Sequence, residues 1–224
     1  VYASYFAGLV IEDNDILGNH RTGIEIAGGV QGGTAWADHF IVRNNLIAGN
    51  GWFSMADKDN LKFGHGVMFI RAGSDKANSD AAGSRYVRVE DNVIRDNEKS
   101  GLYVGPKSRD LFGTGNSIRD NGKGTGGYSV WDGVRVDLDE LYYASGTYTD
   151  YGFLANVSFS AGGILGNGAL GVRVMQTPTA GPVSASCNWW GDVLGPNVPP
   201  ANPSPGNGIT GLATYAPWWS TVSG

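Results

Sequence analysis

Basic side chains that could take a proton or neutralise a carboxylate are clustered in the middle of the chain. His65 stands between two glycines in "FGHGVMFI", and Lys99, Lys107 and Arg109 follow further along. Elimination from a uronic acid sugar needs a base for the proton and a cation, such as Lys, Arg or Ca²⁺, to neutralise the carboxylate. These four residues are therefore the candidate catalytic residues.

Aromatic side chains are concentrated in the same part of the chain. Trp52 and Phe53 lie in one polar segment, Tyr128 and Trp131 lie near another, and Tyr103 lies between the two. Large aromatic faces offer contact area at small entropic cost and suit the apolar C–H faces of sugars. We predict these five residues as sugar-binding residues. The alternative is that the rings hold long loops against the body of the fold.

Oxygen ligands for a hard cation occur close to the first aromatic pair. "DKDN" supplies Asp57, Asp59 and Asn60, which are the donor types that Ca²⁺ prefers, although the segment does not match an EF-hand loop. Solvation of a surface loop is the simpler function for these side chains. The histidines lack the spacing of a transition-metal site.

The segments that must position these residues are copies of one pattern. Residues 89–105, "VEDNVIRDNEKSGLYVG", and residues 11–26, "IEDNDILGNHRTGIEI", share the spacing Asn-x-Ile-x-x-Asn-x-x-x-Gly-apolar. Short runs that alternate apolar and polar residues between Asn and Gly indicate strands and turns. A unit of this size cannot bury its own apolar face, so the units must stack as a solenoid. Less regular copies begin at four further positions: Asn45, Asn116, Gly162 and Asn188.

Stacking the copies in register predicts which side chains face inward. Outward neighbours should include Glu12, Arg43 and Glu90, whose alternating charges suit adjacent strands. Asn92 and Asn97 should occupy tight turns in the left-handed backbone conformation, with amides bonded to equivalent amides in neighbouring coils. One inward column should consist of isoleucines: Ile16, Ile47, Ile94, Ile118 and Ile164.

These repeats resemble the right-handed parallel β-helix of the pectate-lyase-like superfamily, especially its bacterial secreted members. The ending, "CNWWGDVLGPNVPPANPSPGNGITGLATYAPWW", resembles the closing segment of many such domains. The resemblance implies an all-β, right-handed parallel β-helix of about six coils, with residues 1–224 as one domain and residues 187–219 as its C-terminal cap. It also implies secretion or display at a bacterial cell surface, as part of a longer chain. It does not imply one activity, because the superfamily holds lyases, hydrolases, epimerases, adhesins and stalks.

The repeat is interrupted at the same turn in alternate coils. Coil two carries an insertion between Asn50 and Gly66, coil four carries one between Asn121 and Gly133, and coil three has none. The two insertions should stand as walls over the short turn of coil three. Because Trp52, Phe53 and Tyr128 lie in these insertions, with Trp131 where the second one ends, the sequence predicts a groove at this turn.

The composition narrows the classes of partner that this groove could bind. The net charge is −5 without a basic run, which argues against nucleic acid, and no apolar stretch is long enough for a membrane span. We expect a domain that binds a polysaccharide or cell-surface glycan. The alternatives are a uronate lyase that uses a Lys or Arg base with Ca²⁺, and a purely structural module. The apolar start, "VYASYFAGLV", should continue an upstream coil or permit end-to-end stacking.

Overall fold

Three parallel β-sheets surround one apolar core in the part of the chain that the structure describes. This computed structural model describes residues 1–4, 7–28, 37–51, 64–71, 84–105, 108–124, 130–137, 155–175, 182–204 and 206–221. These residues form strands and turns and contain no helix. The prediction of a right-handed parallel β-helix is confirmed.

Each coil contributes one strand to each sheet in turn. Sheet A contains β1 (Tyr2–Ser4), β4 (Ile24–Gly28), β8 (Val67–Arg71), β11 (Leu102–Val104), β14 (Val134–Val136), β17 (Val172–Val174) and β19 (Ile209–Thr210). Sheet B contains β2 (Val10–Glu12), β6 (Ile41–Arg43), β9 (Ser84–Glu90), β12 (Arg109–Thr114), β15 (Ala155–Ser160), β18 (Val183–Ser184) and β20 (Ala213–Thr214). The short β5 (Ala37–Asp38) also pairs with β9. Sheet C contains β3 (Asp15–Leu17), β7 (Leu46–Ala48), β10 (Val93–Arg95), β13 (Ser117–Arg119) and β16 (Gly163–Leu165).

The predicted register is confirmed on both sides of the strands. The five isoleucines pair in one column through sheet C, and each is 7% exposed or less. Glu12, Arg43 and Glu90 pair in an outward column of sheet B, where Arg43 Nε donates to Glu12 Oε2 at 2.6 Å. The period-two alternation of apolar residues therefore sets which face of each strand is buried.

The predicted asparagine stacks are also confirmed, but the backbone conformation assigned to them is wrong. Asn97 Nδ2 donates to Asn121 Oδ1 at 2.9 Å, and Asn92 bonds Asn116 in the same way. The left-handed residues are instead those just before them: Asp96, with a φ of 55°, and Asp91, with a φ of 54°. The preceding residue makes the turn, so each asparagine directs both its backbone N–H and its amide toward the next coil.

Glycine is required where the chain enters sheet A because neighbouring coils approach closely there. A Cβ at Gly66 would lie 2.5 Å from Ile94 Cγ2 and 2.9 Å from Asn97 Nδ2. Gly101 has the same kind of contacts with the next coil. The repeated glycine thus makes room for the isoleucine column and the asparagine stack.

Both insertions leave and rejoin the solenoid at a narrow stem. A Cβ at Gly51 would lie only 2.5 Å from Gly64 Cα, and Trp131 N donates to Gly122 O at 2.8 Å. The turn of coil three lies between these stems, where Lys99 N donates to Gly64 O at 2.7 Å. The inserted residues themselves, 52–63 and 125–129, lie outside the described residues.

The C-terminal segment completes the solenoid with one more coil. Asn188 Oδ1 accepts from Gly162 N, Trp189 pairs with Gly163, and Trp190 is fully buried in the core. Strands β19 and β20 then extend sheets A and B. At the other end β1 is the first strand of sheet A, with Ala3 in the core. The domain limits and end-to-end stacking stay predictions.

Candidate functional site

Four residues predicted from the sequence come together outside sheet A. The ring of His65 lies 4.9 Å from the ring of Tyr103 and 5.4 Å, edge-on, from the ring of Trp131. Lys99 Nζ lies 4.9 Å from the centre of the Trp131 ring. Imidazole, amine, phenol and indole groups from three coils therefore share one cluster, which we call the sheet A cluster.

The solenoid places these residues next to one another because equivalent positions of successive coils stack. His65 lies where the coil-two insertion rejoins the chain, just before β8. Lys99 lies in the short turn of coil three, and Tyr103 points outward from β11. Trp131 lies where the coil-four insertion rejoins, just before β14. A separation of many residues in the chain thus becomes one or two strand spacings in the fold.

Sequence reasoning missed a set of charged residues that extends this cluster. Arg135 on β14 pairs in register with Arg173 on β17, and both point outward. Arg173 Nε donates to Asp132 Oδ2 at 2.9 Å, while Arg135 lies 3.5 Å from Asp132 and 3.4 Å from Asp137. The available signal was the repeated Val-Arg-Val, which puts a cation at the same outward position of two adjacent strands.

Burial controls the charge of this cluster. Asp132 is 1% exposed, and burial raises the pKa of its carboxyl, against the opposing effects of Arg173, Arg135 and the Leu170 backbone. Lys99, Arg135 and Arg173 bring three positive charges to a site with two carboxylates, Asp132 and Asp137. Burial thus disfavours the ionised form of Asp132, while its two arginine neighbours favour it.

The middle of the outward face of sheet A is unusual because its side chains are buried. Met68, Ile70 and Tyr103 are each 3% exposed or less and pack together outside the sheet. Trp131 is 8% exposed, with Arg135 Cζ 4.6 Å and Lys99 Nζ 4.9 Å from its ring centre. This packing favours the alternative in which Trp131 and Tyr103 hold the insertions in place. Their role as direct sugar contacts stays a prediction.

An open cleft adjoins the cluster at the C-terminal end of sheet A. Its volume is about 600 Å³, and its lining includes Leu170, Arg173, Asn197, Thr210 and Tyr215. Arg173 belongs to both the cleft and the buried cluster, since its guanidinium also bonds Asp132. The sequence analysis did not predict this cleft, because its walls come from the cap as well as from coil five.

The remaining predicted residues do not join the described part of the cluster. Arg109 begins β12 in sheet B, where its Nε lies 3.7 Å from Asp110. The described residues contain no group of three His, Cys, Asp or Glu side chains that could hold a metal ion. The other predicted residues lie outside the described residues: Trp52, Phe53, Asp57, Asp59, Asn60, Lys107 and Tyr128.

The comparison with protein families agrees with this geometry. The family model described as a right handed beta helix region matches residues 1–140. No curated protein and no solved structure gives a significant match. Among the described residues there is no helix long and apolar enough to cross a membrane. Because the match covers more than half of the chain and the strands stack in three parallel sheets, the chain belongs to the right-handed β-helix family.

Proposed function

We propose that this chain is a binding domain for an acidic polysaccharide, displayed at a bacterial cell surface or secreted. The ligand lies in the C-terminal cleft at the end of sheet A, where the exposed part of Arg173 borders the sheet A cluster. The observation that carries this proposal is that Arg173 borders the cleft with a side chain 31% exposed, while Asp132 holds its Nε at 2.9 Å.

The charge of the face supports an anionic ligand. Arg135 and Arg173 are neighbours on adjacent strands, where like charges oppose each other, and Asp132 lies between them to offset part of that cost. The side chain of Arg173 is 31% exposed and borders the cleft, so its guanidinium can reach a ligand carboxylate. Guanidinium groups recognise carboxylates in a bidentate geometry.

Binding of polygalacturonate to the whole chain, measured by isothermal titration calorimetry, tests the proposal. Arg173→Gln keeps a donor for Asp132 but removes the charge, so the Kd should rise about tenfold, as for a lost charged hydrogen bond. Added salt should weaken wild-type binding more than binding by the variant. The matched control is Arg119→Gln, an arginine 3.2 Å from Asp120 on a different sheet, sheet C.

Two outcomes would remove this proposal. An Arg173→Gln variant that binds as tightly as the wild type would place the ligand elsewhere. A wild-type chain that binds neither polygalacturonate nor another polyuronate would favour the purely structural module.

A uronate lyase is the second candidate, favoured by one observation. The amine of Lys99 and the imidazole of His65 both contact the ring of Trp131, and both residues are 2% exposed or less. An amine and an imidazole that share one aromatic neighbour are the side-chain types that proton abstraction uses. Any Ca²⁺ would have to come to ligands outside the described residues, at Asp57, Asp59 and Asn60.

The lyase candidate is tested by the ultraviolet absorbance of unsaturated uronate after incubation with polygalacturonate, with and without Ca²⁺. Activity that is lost in Lys99→Met and retained in Arg119→Gln would support it. Binding without any unsaturated product would leave the domain as a binding module.

A further inference from the structure

A second group of aromatic residues lies on a different face of the solenoid, outside sheet B. Tyr86 and Phe112 are each 45% exposed, and the side chain of His39 is 67% exposed. Together with Ile41 and Arg88 these residues line a shallow cavity of about 370 Å³. We call this group the sheet B patch.

The same columns of sheet B carry non-aromatic residues in most other coils. The column of Phe112 also holds Val10, Ile41, Arg88, Ser158 and Ser184. The position before the inward residue is Gly8 in coil one and Asp110 in coil four, where coil three has Tyr86. The solenoid can therefore be built without aromatic rings at these positions.

Tyr86 also occupies an unfavourable backbone conformation. Its φ angle is 51°, in the left-handed region, whereas the equivalent positions hold Gly8, His39, Asp110 and Asn156, types that tolerate it better. A bulky residue in this region is rare and points to a role other than stability. Since the Tyr86 ring is 45% exposed, burial does not compensate for the strain.

Neighbouring charges hold the rings in position. Arg85 donates to Asp38 Oδ2 through both Nε, at 2.9 Å, and Nη2, at 2.6 Å, and its Cζ lies 5.4 Å from the Tyr86 ring centre. His39 Nδ1 lies 2.7 Å from Asp38 Oδ1, and the His39 and Tyr86 rings are 4.9 Å apart. One carboxylate thus orders both rings before any ligand arrives, which lowers the entropic cost of binding.

We infer that the sheet B patch is a second carbohydrate site, at which Tyr86 and Phe112 receive the apolar face of a neutral sugar ring. The exposed rings offer C–H contacts, and the guanidinium of Arg88, with its side chain 64% exposed, can donate to the hydroxyl edge. The cavity volume is near the lower end of small-ligand sites, at about 300 Å³. A stable protein interface uses roughly 20 to 30 residues from each partner, whereas five residues line this cavity.

This second site does not depend on the polyuronate site proposed at the end of sheet A, and one series of titrations tests the two sites separately. Neutral β-linked hexasaccharides of glucose, mannose and xylose are titrated into the whole chain by calorimetry. At least one should bind, and saturating polygalacturonate should not displace it, because the two ligands occupy different sheets. If polygalacturonate does not bind, only the polyuronate site proposed on sheet A is contradicted.

The decisive variants replace the rings with the residue types that other coils use. Tyr86→Asn and Phe112→Ser should each weaken hexasaccharide binding by about tenfold. Tyr86→Asn should melt at the wild-type temperature or above it, because asparagine tolerates the left-handed conformation. Arg119→Gln is the control and should bind the hexasaccharide as the wild type does.

Three results would overturn the inference. One is that no hexasaccharide binds the wild type, and another is that Tyr86→Asn binds as tightly as the wild type. The third is concentration-dependent dimerisation of the wild type, seen by sedimentation and abolished by Tyr86→Asn, which would make the patch a protein contact.

Discussion

Arg173 Nε donates to Asp132 Oδ2 at 2.9 Å and so joins coil five to coil four on the outside of sheet A. The carboxylate is buried at 1% exposure, whereas the side chain of Arg173 is 31% exposed and borders the C-terminal cleft. A ligand that binds Arg173 would change how strongly its guanidinium stabilises the charge on Asp132. The protonation of Asp132 is therefore the first property to measure.

Asp132→Asn should become more stable relative to the wild type as pH rises. Burial raises the pKa of Asp132 above its ordinary value of 3.8, so the folded chain holds this proton more tightly than the unfolded chain. The wild type therefore loses unfolding free energy between pH 3.8 and the raised value, and loses no more above it. Urea unfolding of both proteins at matched pH steps measures the difference. A difference that stays constant or shrinks with rising pH would contradict the assignment.

Ile94→Ala should destabilise the fold by about 2 to 4 kcal/mol, because it removes a fully buried side chain from the middle of the isoleucine column. Glu90→Ala, on the outward column of sheet B, should cost less than about 1 kcal/mol. Chemical denaturation gives both values. Equal losses would mean that the inward and outward faces are misassigned.

Asn97→Ala should cost about 3 kcal/mol or more. Its amide oxygen accepts from Asn50 N and Nδ2, and its Nδ2 donates to Asn121 Oδ1, so the change leaves several buried groups unpaired. The matched control is Asn14→Ala at the exposed end of the other stack, which should cost less than about 1 kcal/mol. Denaturant midpoints compare the two, and similar losses would show that the stack gains nothing from burial.

Gly66→Ala should destabilise the chain by about 2 kcal/mol or more, since its Cβ would lie 2.5 Å from Ile94 Cγ2 in a packed core. Gly163→Ala is the control, because its Cβ would meet only Leu165 Cδ2, at 3.3 Å. That change should cost less than about 1 kcal/mol. A wild-type melting temperature for Gly66→Ala would show that the coils can separate at this corner.

The sequence by itself determined the solenoid and its register. Ile94 and Asn97 recur at fixed spacing in every regular copy, and a side-chain period of two leaves one way to stack such copies with the isoleucines inside. The same repetition identified His65, Lys99 and Trp131, because they lie where two insertions leave a common turn. Local pattern was sufficient for these features, since each depends on equivalent positions of adjacent coils.

Only the tertiary structure decided which outward positions are buried and what they contact. Arg135 and Arg173 look like ordinary solvated strand residues, yet Asp132 draws them into a buried cluster. The ring of Trp131, predicted from the sequence as a sugar contact, lies beside the cations of Lys99 and Arg135. Tyr86, in contrast, is exposed, and its backbone has a left-handed conformation that the strand pattern does not reveal. Burial of an outward side chain depends on what covers it and on backbone geometry at the turns, and neither follows from periodicity.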